Sequence, residues 1–217
     1  MPAGGRSRRR GFSREEGLNR RLVVGAVVLL AVLGTWELGH GAWIHVKARL
    51  AQGLLQRAWA RTLGGEPAAK PWPWADTWPV ARLRIPAHGV DLIVLSDVSG
   101  RTLAFGPGHA PQSALPGAPG TAIVTGHRDT HFRFLERLRR GDEIVIEVPG
   151  LPNARFRVQE LSVVDSRSAV IRAELGEAAL VLMTCYPFDA LVAGGPLRYV
   201  VTARASDEQG PPSIARP

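Results

Sequence analysis

The 217-residue chain is 45% hydrophobic and carries a formal charge of +8, which allows one buried core of about 130–150 residues plus a substantial appendage. The charge is concentrated: residues 1–21 hold seven arginines (Arg6, Arg8, Arg9, Arg10, Arg14, Arg20, Arg21) against Glu15 and Glu16, a net +5, so the remainder carries only +3. With no basic, aromatic-interleaved surface after that leader, nucleic-acid binding is excluded. The single cysteine, Cys185, excludes an internal disulfide.

The leader abuts residues 22–36 (LVVGAVVLLAVLGTW), which carry no charge. As a helix this run reaches about 22 Å, short of a hydrocarbon core of about 30 Å. A transmembrane span over 22–44 must therefore borrow from Glu37 to Ile44, with Trp36 and Trp43 suited to the far interface. The arginines keep residues 1–21 in the cytoplasm and put everything after the span outside. A cleavable signal peptide is the alternative, because Gly39-His40-Gly41 is a small-x-small sequence after an apolar run. Either way the domain is exported.

Residues 45–79 read as a stalk and linker. Val46, Leu50, Leu54 and Ala58 recur at helical spacing, and Gly64-Gly65 ends the helix. Four prolines and Trp72, Trp74 and Trp78 then fill residues 67–79, where regular structure is forbidden and the indoles are expected to pack.

From Val80 the texture changes to short Val- and Ile-rich runs between Gly, Pro and Asp. Strands are predicted at 81–85, 90–95, 102–105, 121–125, 143–148, 155–164, 178–184 and 198–203. One helix is predicted over 131–140, where Phe132, Leu135 and Leu138 recur every three residues. Eight strands with few helices imply an all-β closed barrel over residues 80–204, followed by a C-terminal tail, 205–217.

Two apolar strands deliver chemistry-bearing residues to their ends: residues 178–184 lead to Cys185, and residues 121–126 lead to His127, while Arg198 opens the last strand. A free cysteine is commonly a small buried hydrophobe. An unpaired exported thiol nevertheless needs a reason, and chemistry is one. A cysteine enzyme needs a base or cation to form thiolate; histidine can serve and then return the proton to a leaving amine, while arginine can hold a developing oxyanion. His131, four residues after His127, has the spacing of a zinc pair, but Arg128 stands where such a helix needs Glu and the segment reads as strand, so no metal is expected. His88 and His109 are loop residues without a visible partner.

The run Val181-Leu182-Met183-Thr184-Cys185 with Arg198 following on a strand resembles the Thr-Leu-x-Thr-Cys…Arg signature of sortases, and Thr125-Gly126-His127-Arg128 resembles their histidine-bearing strand end. The basic leader with one span, the Trp-rich stretch 72–79 and Gly126-His127-Arg128-Asp129-Thr130 resemble the sortases of Gram-negative bacteria; Val181 departs from the signature threonine. The resemblance implies an eight-stranded sortase-type barrel behind an N-terminal transmembrane helix, without a cofactor. It implies single-pass anchoring in the cytoplasmic membrane with the catalytic domain on the periplasmic side. Its partners would be a secreted protein bearing a C-terminal sorting signal and an amine acceptor. Cys185 would attack the scissile carbonyl, His127 act as acid and base, Arg198 position substrate and oxyanion, and Thr184 assist through backbone or hydroxyl. Asp129 either orients the imidazole or caps the helix after it. Residues 166–177 are expected to line the substrate groove. Two other classes stay open: another exported cysteine acyl enzyme, either a peptidase or an L,D-transpeptidase (whose arginine would fall at Pro187), and a tethered peptide-binding barrel without chemistry.

Overall fold

The computed structural model describes residues 12–169, 177–190 and 194–206, so the leader before Phe12 and the tail after Ser206 lie outside the described residues. The chain divides into two compact units, before and after the Leu50–Ala51 bond. In the first unit, helix α1 (Phe12–Leu63) covers the predicted span, and its apolar side chains between Leu22 and Trp36 are exposed. Among the described residues no helix is long and apolar enough to cross a membrane. The side chains of residues 37–44, from which a span must borrow, lie outside those described.

The second unit, Ala51–Pro217, begins with the last turns of α1. Their buried face differs from the predicted stripe: Ala51, Leu55, Ala58 and Trp59 are buried, whereas Leu50 is exposed. This is the i, i+4, i+7, i+8 face, and it carries Trp59, whose area outweighs that of Leu54 in setting the helix rotation. Leu55 and Trp59 pack with Ile93, Leu95 and Phe105. The Pro/Trp segment forms turns and bends, as expected; Trp72 meets Phe105 edge-on at 4.8 Å, while Trp74 stays 79% exposed.

Eight strands follow: β1 (Pro79–Ile85), β2 (Val90–Leu95), β3 (Gly108–His109), β4 (Gly120–Thr125), β5 (Glu143–Glu147), β6 (Ala154–Asp165), β7 (Ala178–Cys185) and β8 (Leu197–Ala205). They close into a barrel in the order β1-β2-β3-β4-β7-β8-β6-β5. Period-two alternation sends one face of each long strand inward. Leu83 and Ile85 of β1, Val124 of β4, Ile144 and Ile146 of β5, Leu180 and Leu182 of β7 and Val201 of β8 meet there with Phe132 and Leu135.

Two predicted elements change. Residues 102–105 are not a strand: Gly100–Leu103 form the short helix α2. Ser99 caps it by accepting the Thr102 N–H, and Asp97 accepts from both Ser99 N–H and the Thr102 hydroxyl, each at 2.7 Å. Those polar side chains offer the backbone a helical start that an isolated strand cannot match. The remaining strand is the two-residue β3. The predicted helix 131–140 shrinks to a 3-10 turn, Arg133–Arg137. Spacing of three is the period of the 3-10 helix, and Phe132, Leu135 and Leu138 are all buried by it.

Candidate active site

Strands β4, β7 and β8 are consecutive in the barrel, and their register sets the site. β7 and β8 run antiparallel with Cys185 directly opposite Arg198, which puts their Cα atoms about 5 Å apart on one face. β4 and β7 run parallel with Thr125 level with Met183, and the Gly126 N–H donates to the Met183 carbonyl at 3.3 Å. Continuing that register by two residues brings His127 level with Cys185. Leu180 and Leu182 point into the barrel, so Cys185, an odd number of residues away, points out; the same alternation from Val124 and Val201 turns His127 and Arg198 outward. Cys185 is half-buried and His127 exposed. Thiol and guanidinium thus share one outer face, and the exposed His127 stands two residues past the end of the neighbouring strand. This arrangement can attack a carbonyl, shuttle a proton and offer N–H donors to an oxyanion.

The Arg198 guanidinium currently turns to its own loop, where Nη1 donates to the carbonyls of Gly195 (2.6 Å) and Leu197 (2.9 Å). Among the described residues Nε and Nη2 make no hydrogen bond. Thr184 is buried, and its hydroxyl donates to the Gly126 carbonyl at 2.6 Å. That proton is committed to holding β7 against β4, and the Thr184 N–H turns to β8, where the register sets Thr184 opposite Tyr199 in step with the bond from the Tyr186 N–H to the Leu197 carbonyl. The Asp129 carboxylate accepts from Arg128 Nε at 3.2 Å, and the 3-10 turn begins four residues later with no side-chain cap, so Asp129 does not cap it.

Other predicted features also resolve. His131 is half-buried, its Nδ1 3.3 Å from the Thr130 hydroxyl; burial, then the nearby His127, lowers its basicity. Among the described residues no three metal-ligating side chains gather. His88 and His109 have partners that lie far off in sequence or in a bend. His88 Nε2 is 2.8 Å from Asp142, and His109, in β3 and buried, places Nε2 2.8 Å from the Ala114 carbonyl. Of the expected groove segment 166–177, residues 170–176 lie outside the described residues.

Sequence reasoning missed two features beside the thiol. Tyr186, Phe188 and Tyr199 form an aromatic cluster, with Tyr186 and Tyr199 stacked and Phe188 edge-on to both. Burial, then Tyr186 and Glu136, raises the Tyr199 phenol above its ordinary pKa. The proximity of Tyr186 and Phe188 to Cys185 in sequence was the available signal. The second feature is Arg128, which is buried and reaches the loop after Cys185; nothing in its sequence setting signals that.

The family model of the sortase domain matches residues 83–206, more than half the chain. The chain belongs to the sortase family. Sortase D of Bacillus subtilis is 29% identical over 120 residues, and the match spans 55% of this sortase and 60% of that relative. Among solved structures, a sortase D5 transpeptidase of Clostridium perfringens is 27% identical with a TM-score of 0.52, covering 59% of this sortase and 79% of that chain. A lid mutant of sortase A from Corynebacterium diphtheriae is 26% identical with a TM-score of 0.54, covering 73% and 95% respectively. The closed eight-stranded barrel expected from the strand pattern is the sortase fold.

Proposed function

We propose that this sortase is a membrane-anchored cysteine transpeptidase. Cys185 sulfur attacks the scissile carbonyl of a C-terminal sorting signal, and the tetrahedral oxyanion is met by donors of Arg198. Collapse breaks the C–N bond, leaves the acyl group on sulfur as a thioester, and passes a proton from the His127 imidazolium to the departing amine. An amine of a second substrate then attacks the thioester, loses its proton to His127, and returns sulfur to its starting state. The observation that carries this reading is Cys185 opposite Arg198 on β7 and β8, with His127 following the end of β4, the strand that pairs with β7 in parallel.

Anchoring is supported by the arginine-rich leader and the exposed apolar side chains of α1 between Leu22 and Trp36. The barrel then faces the periplasm, and the finer kinship with Gram-negative sortases rests on the Trp-rich stretch and Gly126–Thr130. The test is incubation of the full chain with candidate C-terminal peptides, with and without an added amine, followed by intact-mass analysis. We expect an acyl adduct on Cys185 that the amine removes as a ligated product. An adduct that persists in Cys185→Ala, or release only as free acid with amine in excess, refutes transpeptidation.

A further inference from the structure

The ladder between β4 and β7 ends just before the reacting groups. Its last links are the Gly126 N–H to the Met183 carbonyl and the Thr184 hydroxyl to the Gly126 carbonyl. His127 and Cys185 are the next residues on their strands. Beyond them, among the described residues, the hydrogen bonds that join the two chain segments come from one side chain. Arg128 Nη1 donates to the Pro187 carbonyl and Nη2 to the Ala190 carbonyl, both at 2.7 Å, while Nε takes the Asp129 carboxylate at 3.2 Å.

Arg128 is only 6% exposed, although it immediately follows an exposed histidine on an outer rim. Burying a guanidinium is costly unless its N–H groups are satisfied, and this one is satisfied largely by the loop that leaves the thiol. The two carbonyls are the ends of one turn, closed by the Ala190 N–H to the Pro187 carbonyl at 3.4 Å. A planar fork matches that pair of acceptors; an ammonium, as a single point charge, does not.

We infer that Arg128 is a positioning residue: its guanidinium, bridging Pro187 and Ala190, fixes His127 against Cys185 from the side the sheet does not reach. The inference rests on the thiol–imidazole reading given above. Thr184 and Arg128 are then two clasps bracketing one reacting pair, the first made by the sheet and the second by a side chain.

Cys185 is the sole cysteine, so iodoacetamide alkylation of the full chain reports on it without any substrate. Rates across roughly pH 5 to 9 are compared for wild type, Arg128→Met, Arg128→Lys, His127→Ala and the His127→Ala/Arg128→Met double variant, with the barrel checked by circular dichroism. We expect Arg128→Met to slow alkylation at neutral pH by roughly ten- to hundredfold, the range in which small misplacements act, with Arg128→Lys in between. In the His127→Ala background the same change should add less than about twofold, because the partner it positions is gone. Wild-type rates in both Arg128 variants, with His127→Ala slowed, overturn the inference. So does an equal slowing with and without His127, which marks a purely structural role. A His127→Ala profile matching wild type sinks the thiol–imidazole reading itself, a distinct outcome. Should Arg128→Met fail to fold, Arg128→Lys and its double variant with His127→Ala decide on the same criteria.

Discussion

Replacing Thr184 by Val keeps the shape of the side chain and removes only its donor. Both ends of the bond are buried, so the Gly126 carbonyl is left without a partner in a place water does not reach. An unsatisfied buried polar group costs about 1–3 kcal/mol. The new methyl recovers up to about 0.8 kcal/mol by burial against the barrel interior. The net expectation is a loss of about 1–2 kcal/mol, which for a domain of this size lowers Tm by roughly 2–8 °C. Thermal unfolding followed by circular dichroism measures it, with Thr184→Ser as control. Serine keeps the hydroxyl and gives up a methyl, so it should leave Cys185 alkylation near wild type even if it lowers Tm, whereas valine should change both. If valine left Tm untouched but abolished acyl transfer, the hydroxyl would belong to the oxyanion and not to the clasp.

Arg198→Ala should cost turnover far more than stability. Its contacts are to carbonyls of its own loop, worth about 1 kcal/mol, whereas loss of an oxyanion donor costs about 10²- to 10³-fold in kcat; parallel losses in kcat and Tm would make it structural. Asp142 governs part of the acid limb of stability. Burial alone would raise its pKa, but the Arg139 N–H and the His88 ring together hold it below the ordinary carboxylate value. A carboxylate with a depressed folded pKa stabilises above its unfolded pKa of about 4, and that contribution is lost as pH falls through the folded value. Asp142→Asn should therefore lower stability at neutral pH and flatten the decline below about pH 4, read from urea midpoints at each pH. An unchanged acid limb would remove Asp142 from the account.

The barrel was legible wherever a strand alternates or stays apolar for long enough. β1 shows the period of two, whereas β7 is an almost continuous apolar run; β7 ends on Cys185 and β4 two residues before His127, since an apolar run ceases where it leaves the core. The strand at 102–105 failed because four apolar or β-branched residues carry no period, while the caps that make them helical, Asp97 and Ser99, lie upstream. β3 has two residues and no pattern to read. The rotation of α1 failed for a different reason: two overlapping stripes were available, and the choice between them was made by Ile93 and Leu95, some forty residues away. Pairing partners at that separation leave no local trace, which is also why Arg128 passed as part of a motif and not as a contact.

Gly126 links these scales. A Cβ built there would lie 2.8 Å from the Phe132 ring, closer than real side chains approach, and the inward face of the strand end is occupied by that ring. With Phe132 filling the barrel below, the chain after Gly126 has to turn outward, and the Phe132 N–H closes that turn on the His127 carbonyl at 3.0 Å. The imidazole is thus displayed by a core aromatic from beneath, by the Thr184 hydroxyl on the sheet side and by the Arg128 fork on the loop side. A reacting pair on strand ends alone would inherit the fraying of an unfinished ladder. Here each open direction has a buried contact of its own, which is what the proposed mechanism needs of a pair placed where the sheet stops.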